Sequence, residues 1–126
     1  MLTKQLADAL PPRKRPDGNL WGPARKVLNI FLSDATYNFY LREQYNLDQI
    51  ERYLEVPLDS YVAIGVALDA AKLHPPIKFE RWKGVVHVTP QLNDDYQSAA
   101  THIAKDRGYR CRGHLDARYW RQNVEE

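Results

Sequence analysis

The sequence predicts an all-α protein, a compact bundle of five or six helices. Apolar residues recur at helical spacing over 24–39. The stretch "TPQLNDDYQSAATHIAKDRG" (89–108) carries a complete set of helix start and stop signals. Alternating strand patterns are almost absent. A chain of 126 residues is expected to form one domain over 1–126, with a short helix and a basic Pro-rich loop in 1–21 and the helical core in 22–126. Apolar residues at 44% and charged residues at 27% place it among ordinary soluble domains rather than disordered or membrane chains.

Leu2, Leu6 and Leu10 lie at fourfold spacing and suit a short amphipathic helix over 2–10. "PPRKRPDGN" (11–19) ends it, since three prolines and a glycine in nine residues make a loop. Pro23 fits the first turn of the next helix, where a missing N–H costs nothing. In that helix Ala24, Leu28, Phe31, Leu32, Ala35 and Phe39 are the expected core face. Lys26, Ile30, Ser33 and Tyr37 share the opposite side, which either lines a cleft or meets water. "NLDQIERYL" (46–54) reads as a short helix, separated by Pro57 from the next. Asp59 is placed to cap "SYVAIGVALDAAKL" (60–73), which is apolar on nearly every side and so expected to be buried on most of its surface. Residues 74–87 read as irregular. Thr89 and Pro90 then open the clearest helix and Gly108 stops it. A last helix over 114–126 puts Asp116 and Trp120 one turn apart on one face.

The net charge of +2 does not by itself indicate nucleic acid. Two local clusters, Arg13–Lys14–Arg15 followed by Arg25 and Lys26, and "RGYRCRGH" (107–114), are either solvated or bind phosphate. The single cysteine, Cys111, excludes an internal disulfide and suits a reducing compartment, as a small, partly buried filler. No apolar run approaches a membrane span, and the first fifteen residues lack a signal-peptide pattern, so a cytoplasmic location is expected. His74, His87, His102 and His114 have no metal-ligand spacing, and phosphate-loop and dinucleotide fingerprints are missing, so neither metal nor cofactor is expected.

Three candidate groups carry chemistry. Lys26 is either a solvated charge or, with Arg25 and a helix start disfavouring its ammonium form, an amine nucleophile. Asp59 is either an ordinary cap or a carboxylate placed to stabilise a nearby cation. Asp116 and Trp120 are either a cap-and-core pair or a platform that stacks an unpaired base while the carboxylate takes its N–H donors.

"GPARKVLNIFL" (22–32) followed by "VPLDSYV" (56–62) resembles the core signature of the helix-hairpin-helix DNA glycosylases. Gly22, Arg25, Lys26 and Asn29 match its G-x-x-R-K-x-x-N helix, and Pro57, Leu58, Asp59 and Val62 match its aspartate-bearing segment. The long gap between them and the terminal "HLDARYW" (114–120) are similar to the archaeal 8-oxoguanine DNA glycosylase branch, which carries a comparable Asp-x-x-x-Trp. The resemblance covers roughly residues 18–120. It implies a helix-hairpin-helix-like element in the bundle and damaged double-stranded DNA as the partner. It also implies a base-excision glycosylase/AP lyase acting on oxidised guanine without a cofactor. Lys26 would attack C1′ of the damaged nucleotide, and Asp59 would stabilise the developing positive charge. Asp116 and Trp120 would hold the extruded base. Gly18 and Gly22 would present backbone N–H groups to a phosphate, and Arg13, Lys14, Arg15 and Arg25 would add attraction to the DNA backbone. Family members carry a further helical region ahead of the hairpin that forms one wall of the base pocket. Only residues 1–25 precede Lys26 here, so the second wall is expected from a second copy or a partner protein. The alternative is a non-catalytic DNA-binding or protein-interaction module built on the same scaffold.

Overall fold

The computed structural model of the chain describes residues 2–9 and 19–124. Six α-helices run in the order α1 (Leu2–Ala9), α2 (Trp21–Tyr37), α3 (Phe39–Tyr45), α4 (Ser60–Ala70), α5 (Pro90–Asp106) and α6 (Leu115–Val124). Short 3-10 turns lie at Leu47–Gln49, Glu51–Tyr53, Val85–His87 and Arg112–His114, and there is no strand among the described residues. No helix in that range is long and apolar enough to cross a membrane.

Side-chain caps set most of these boundaries. Asn19 Oδ1 accepts the N–H groups of Trp21 (2.9 Å) and Gly22 (3.2 Å) at the head of α2. Asn38 leaves the helical region at ψ 121° and its side chain accepts from Leu41 N, so it ends α2 and starts α3 at once. Asn46, in the left-handed region at φ 52°, closes α3. Asp59 caps α4 through Val62 N, and Thr89 caps α5 through Leu92 N.

The core is built by Val56, Leu58, the inner faces of α4 and α5, Val88, and Leu115 and Tyr119 of α6. Small residues let these helices meet closely: Ala63, Ala99 and Ala100 are fully buried, and Gly65 lies directly against the Tyr119 ring. Asp69 of α4 ties the corner, accepting from Tyr119 Oη (3.0 Å) and from Arg107 (3.1 Å). Residues 74–87 pack over α5, with Phe79 stacked on Tyr96 at 4.2 Å and Trp82 edge-on to the same ring at 5.8 Å.

The structure departs from the sequence expectations in three places. The break at Asn38 takes Phe39 off the α2 face, and Phe31 and Phe39 are 64% and 71% exposed rather than core. Ala24 is fully buried as expected, but the other buried residues of α2 are Gly22, Asn29 and Thr36, because this face meets polar groups and a close backbone. Over 46–54 there are two 3-10 turns in place of a helix, in a segment too short to repay helix nucleation and pinned by the buried Glu51. Helix α4 buries Val62, Ala63, Val66, Asp69 and Ala70 but leaves Tyr61, Ile64 and Leu68 exposed in a stripe at helical spacing, so it is one-sided rather than buried on most of its surface.

Candidate functional site

Three elements bring the sequence-predicted site residues into one neighbourhood. Lys26 stands half-buried in the second turn of α2. Tyr37, three turns further along the same side of α2, makes a 2.7 Å hydrogen bond to His114 Nε2, just before α6. Asp59 is held at the head of α4, its Oδ1 accepting from Val62 N at 2.9 Å. Asp116 and Trp120 come from α6, and the Trp120 ring meets Tyr61 edge-on at 4.6 Å.

The Asp116 carboxyl is electrostatically coupled to these groups. Burial raises its carboxyl above the usual aspartate range, and the charge of Asp59 raises it further. The indole N–H of Trp120 and the charge of Lys26 act in the opposite sense, while Asp34 adds to the rise. One carboxyl therefore senses both members of the Lys26–Asp59 pair, and the two rings beside it, Tyr61 and Trp120, remain 44% and 45% exposed. The arrangement offers an amine, a carboxylate, a carboxyl held towards its neutral form and an open aromatic surface.

The residues expected to touch the DNA backbone are placed differently. Gly22 is buried, and a Cβ there would collide with the carbonyl of Val85; its N–H is taken by Asn19. Arg25 forks onto Glu55, with Nε at 2.9 Å and Nη2 at 2.6 Å, and its Nη1 donates to Thr3 of α1 at 3.0 Å. Both groups thus face into the protein rather than towards a phosphate. Arg13, Lys14, Arg15 and Gly18 lie outside the described residues. In the second basic cluster, Arg107 bonds Asp69, Arg112 donates to the carbonyls of Leu54 and Tyr53, and Arg110 lies 3.3 Å from Glu51. Arg107 and Arg112 brace the loop internally, while Arg110 stays largely exposed beside Glu51.

Glu55 carries no signal of its own in the sequence, yet it organises this side of the molecule. Besides Arg25, it accepts from Asn29 (3.0 Å) and Asn93 (3.1 Å). Burial pushes its carboxyl up, but the hydrogen bonds from Arg25, Asn29 and Asn93 and the arginine's charge outweigh that and hold it below the usual range. Arg25 and Asn29 are one helical turn apart, two donors on one face, and that spacing is the trace such an acceptor leaves in a sequence.

Glu51, Cys111 and His114 form one cluster of metal-type donors, with ligand atoms within 4.8 Å of one another. Glu51 already holds Arg42 at 2.8 Å and Arg110 at 3.3 Å, and His114 Nε2 holds the Tyr37 hydroxyl. Two arginines on the carboxylate oppose a cation. The cluster therefore reads as a polar clasp joining α2, α3 and the turn before α6.

Comparisons with family models, curated proteins and solved structures give no match.

Proposed function

We propose that this chain is an imine-forming DNA glycosylase/AP lyase-like protein acting on oxidised guanine in duplex DNA. The observation that supports the reading is the convergence of Lys26, Asp59, Asp116 and Trp120, drawn from three helices and far apart in sequence. Structural caps and core pairs satisfy themselves locally and give no reason for an amine and two carboxyls to share one open neighbourhood.

In this reading the unprotonated amine of Lys26 attacks C1′ of the damaged nucleotide. The glycosidic bond breaks, and its electron pair leaves with the base, which takes up a proton. Of the two amine protons, one is passed to the departing base and the other to O4′ as the C1′–O4′ bond breaks with its electron pair on O4′, leaving an imine between Nζ and C1′. Asp59, fixed by the α4 N–H, stabilises the positive charge that develops on the sugar and accepts protons in these transfers. The extruded base stacks on the exposed Trp120–Tyr61 surface, with Asp116 at its hydrogen-bonding edge. Helices α1 and α2, linked by the Thr3–Arg25 bond, are the arms of the helix-hairpin-helix-like element.

A second reading, a binding module without catalysis, draws on α3. That helix has no buried residue and exposes Phe39, Tyr40, Leu41 and Tyr45, as an interaction surface does.

Borohydride trapping separates the two. Duplexes carrying 8-oxoguanine, an abasic site or neither are mixed with the protein and reductant, beside Lys26→Gln and Asp59→Asn. The expected result is a covalent adduct on the 8-oxoguanine duplex that disappears in Lys26→Gln. Binding to all three duplexes with no adduct on any would replace the enzyme reading with the binding module.

A further inference from the structure

We infer that Glu55 is a positioning residue for the Lys26–Asp59 pair, fastening the helix that carries the amine to the segment that carries the acid. The inference rests on the proposed imine chemistry and adds to it the device that sets its geometry.

The two groups to be aligned have no direct covalent reason to stay together. Lys26 rides on α2, and Asp59 follows the non-helical stretch Leu54–Leu58. Glu55 lies within that stretch, four residues before Asp59. Its two oxygens are taken by the neighbour of Lys26, Arg25, and Oε1 is shared with Asn29 one turn further along the same helix. Asn93 adds a third anchor from α5 at 3.1 Å. The next residue is fixed as firmly: Val56 N donates to Gln97 Oε1 at 3.0 Å, and Gln97 Nε2 donates back to Val56 O at 2.8 Å. Pro57 and Leu58 are buried, so the chain runs from clamp to Asp59 with little freedom. A bidentate arginine–carboxylate pair fixes orientation as well as distance, which a single hydrogen bond does not. Glu55 itself stays 13% exposed at the side chain and touches no reacting group, so its effect on chemistry can only pass through Lys26 and Asp59. Arg25 and Asn29, which match the glycosylase signature, thereby gain an internal purpose: they hold the acid segment.

The test compares Glu55→Gln, Arg25→Lys and Arg107→Lys with the full wild-type chain. Arg107 pairs with Asp69 at the end of α4 opposite Asp59 and touches neither α2 nor the Leu54–Leu58 stretch, so it controls for general loosening. Single-turnover trapping on an abasic duplex gives the rate of imine formation, and DNA affinity is measured alongside. Misplacing reacting groups by about 1 Å costs on the order of 100-fold. The expected result is a fall of at least ~10-fold in trapping rate for Glu55→Gln and Arg25→Lys, with unchanged affinity, and little change for Arg107→Lys. Wild-type-like trapping in both clamp variants, beside an active wild type, would overturn the positioning role and leave the proposed function standing. If the wild type traps nothing, the proposed function falls, and a reading without chemistry still tests the clamp. Asp59→Asn should lower the Asp116 titration midpoint, followed by carboxyl-carbon NMR, in the wild-type background and not in Glu55→Gln. The same displacement in both backgrounds would show that Glu55 does not place Asp59.

Discussion

Gly65→Ala is the sharpest test of how α4 and α6 are joined. A Cβ built on Gly65 stands 2.6 Å from Tyr119 Cε1 and 2.7 Å from Cγ, with Cδ1 closer still. Ordinary carbon contacts are about 3.5–4.0 Å, so the ring must retreat by roughly 1 Å. It has no room to do so, since Tyr119 is 2% exposed and its hydroxyl is tied to Asp69 at 3.0 Å. Overpacking of this kind costs about 1–3 kcal/mol. Weakening a buried hydrogen bond to a carboxylate adds about 1–3 kcal/mol. Against this, alanine gains about 1 kcal/mol over glycine within a helix. The balance is a loss of about 3 kcal/mol, or ~9–18 °C in Tm for a domain of this size. Urea unfolding followed by circular dichroism, with thermal melts beside it, measures this directly. Because Tyr119 neighbours Trp120, the Trp120 fluorescence should change in the folded variant as well. A variant as stable as the wild type, or stabilised by the bare helix-propensity gain, would refute the close α4–α6 contact on which the placement of Asp116 and Trp120 depends.

Other outcomes follow from the electrostatics and the exposed face. Asp116 has a folded-state carboxyl raised by burial and by Asp59, so it favours folding below the unfolded aspartate range and opposes it once pH rises through its folded value. Asp116→Asn should therefore be more stable than the wild type at pH 7, by chemical denaturation, while losing discrimination for the damaged duplex; a neutral variant less stable than the wild type would contradict the sign. Glu55 has the opposite behaviour, since its folded value is lowered by Arg25, Asn29 and Asn93. Its contribution is present above the unfolded glutamate range and is lost as pH falls through the folded value, so the acid limb of the stability–pH curve should be shallower in Glu55→Gln. The exposed aromatic face of α3 predicts self-association at high micromolar concentration, reduced by Phe39→Ser with Tyr40→Ser; a clean wild-type monomer by light scattering would count against it.

The sequence made some elements legible because their signals are local. Thr89, Pro90 and Gly108 bound α5 closely, and Asp59 caps α4 through its own side chain. The core face of α2 was legible only at Ala24, because the rest depends on what lies across from it. Apolar periodicity pointed to Phe31 and Phe39, yet the face that packs carries Gly22, Asn29 and Thr36 and meets Val85, Glu55 and the helix's own carbonyls. Periodicity finds an apolar stripe but cannot know that a neighbour is a carboxylate. The same limit hid the second basic cluster: Arg107, Arg110 and Arg112 look like a phosphate-binding run until their acceptors, which are distant in sequence, are known.

The fate of the signature residues suggests how the site is divided. Of the four that match the glycosylase helix, Gly22 lets α2 approach the Val85 turn, and Arg25 and Asn29 converge on Glu55. Lys26 alone faces the side where Asp116 senses its charge. A run of residues read as a single motif thus separates into three that build a rigid seat and one that the seat presents. Helical geometry requires this, because neighbours in sequence point about 100° apart, and a residue that must hold an amine in place has to reach a different surface from the amine itself. The division also explains why charge at position 25 is a poor guide to DNA contact. An arginine next to the proposed lysine nucleophile would serve a phosphate only by giving up Glu55. On the proposed chemistry, removing that carboxylate should therefore slow imine formation and leave the affinity for DNA where it was.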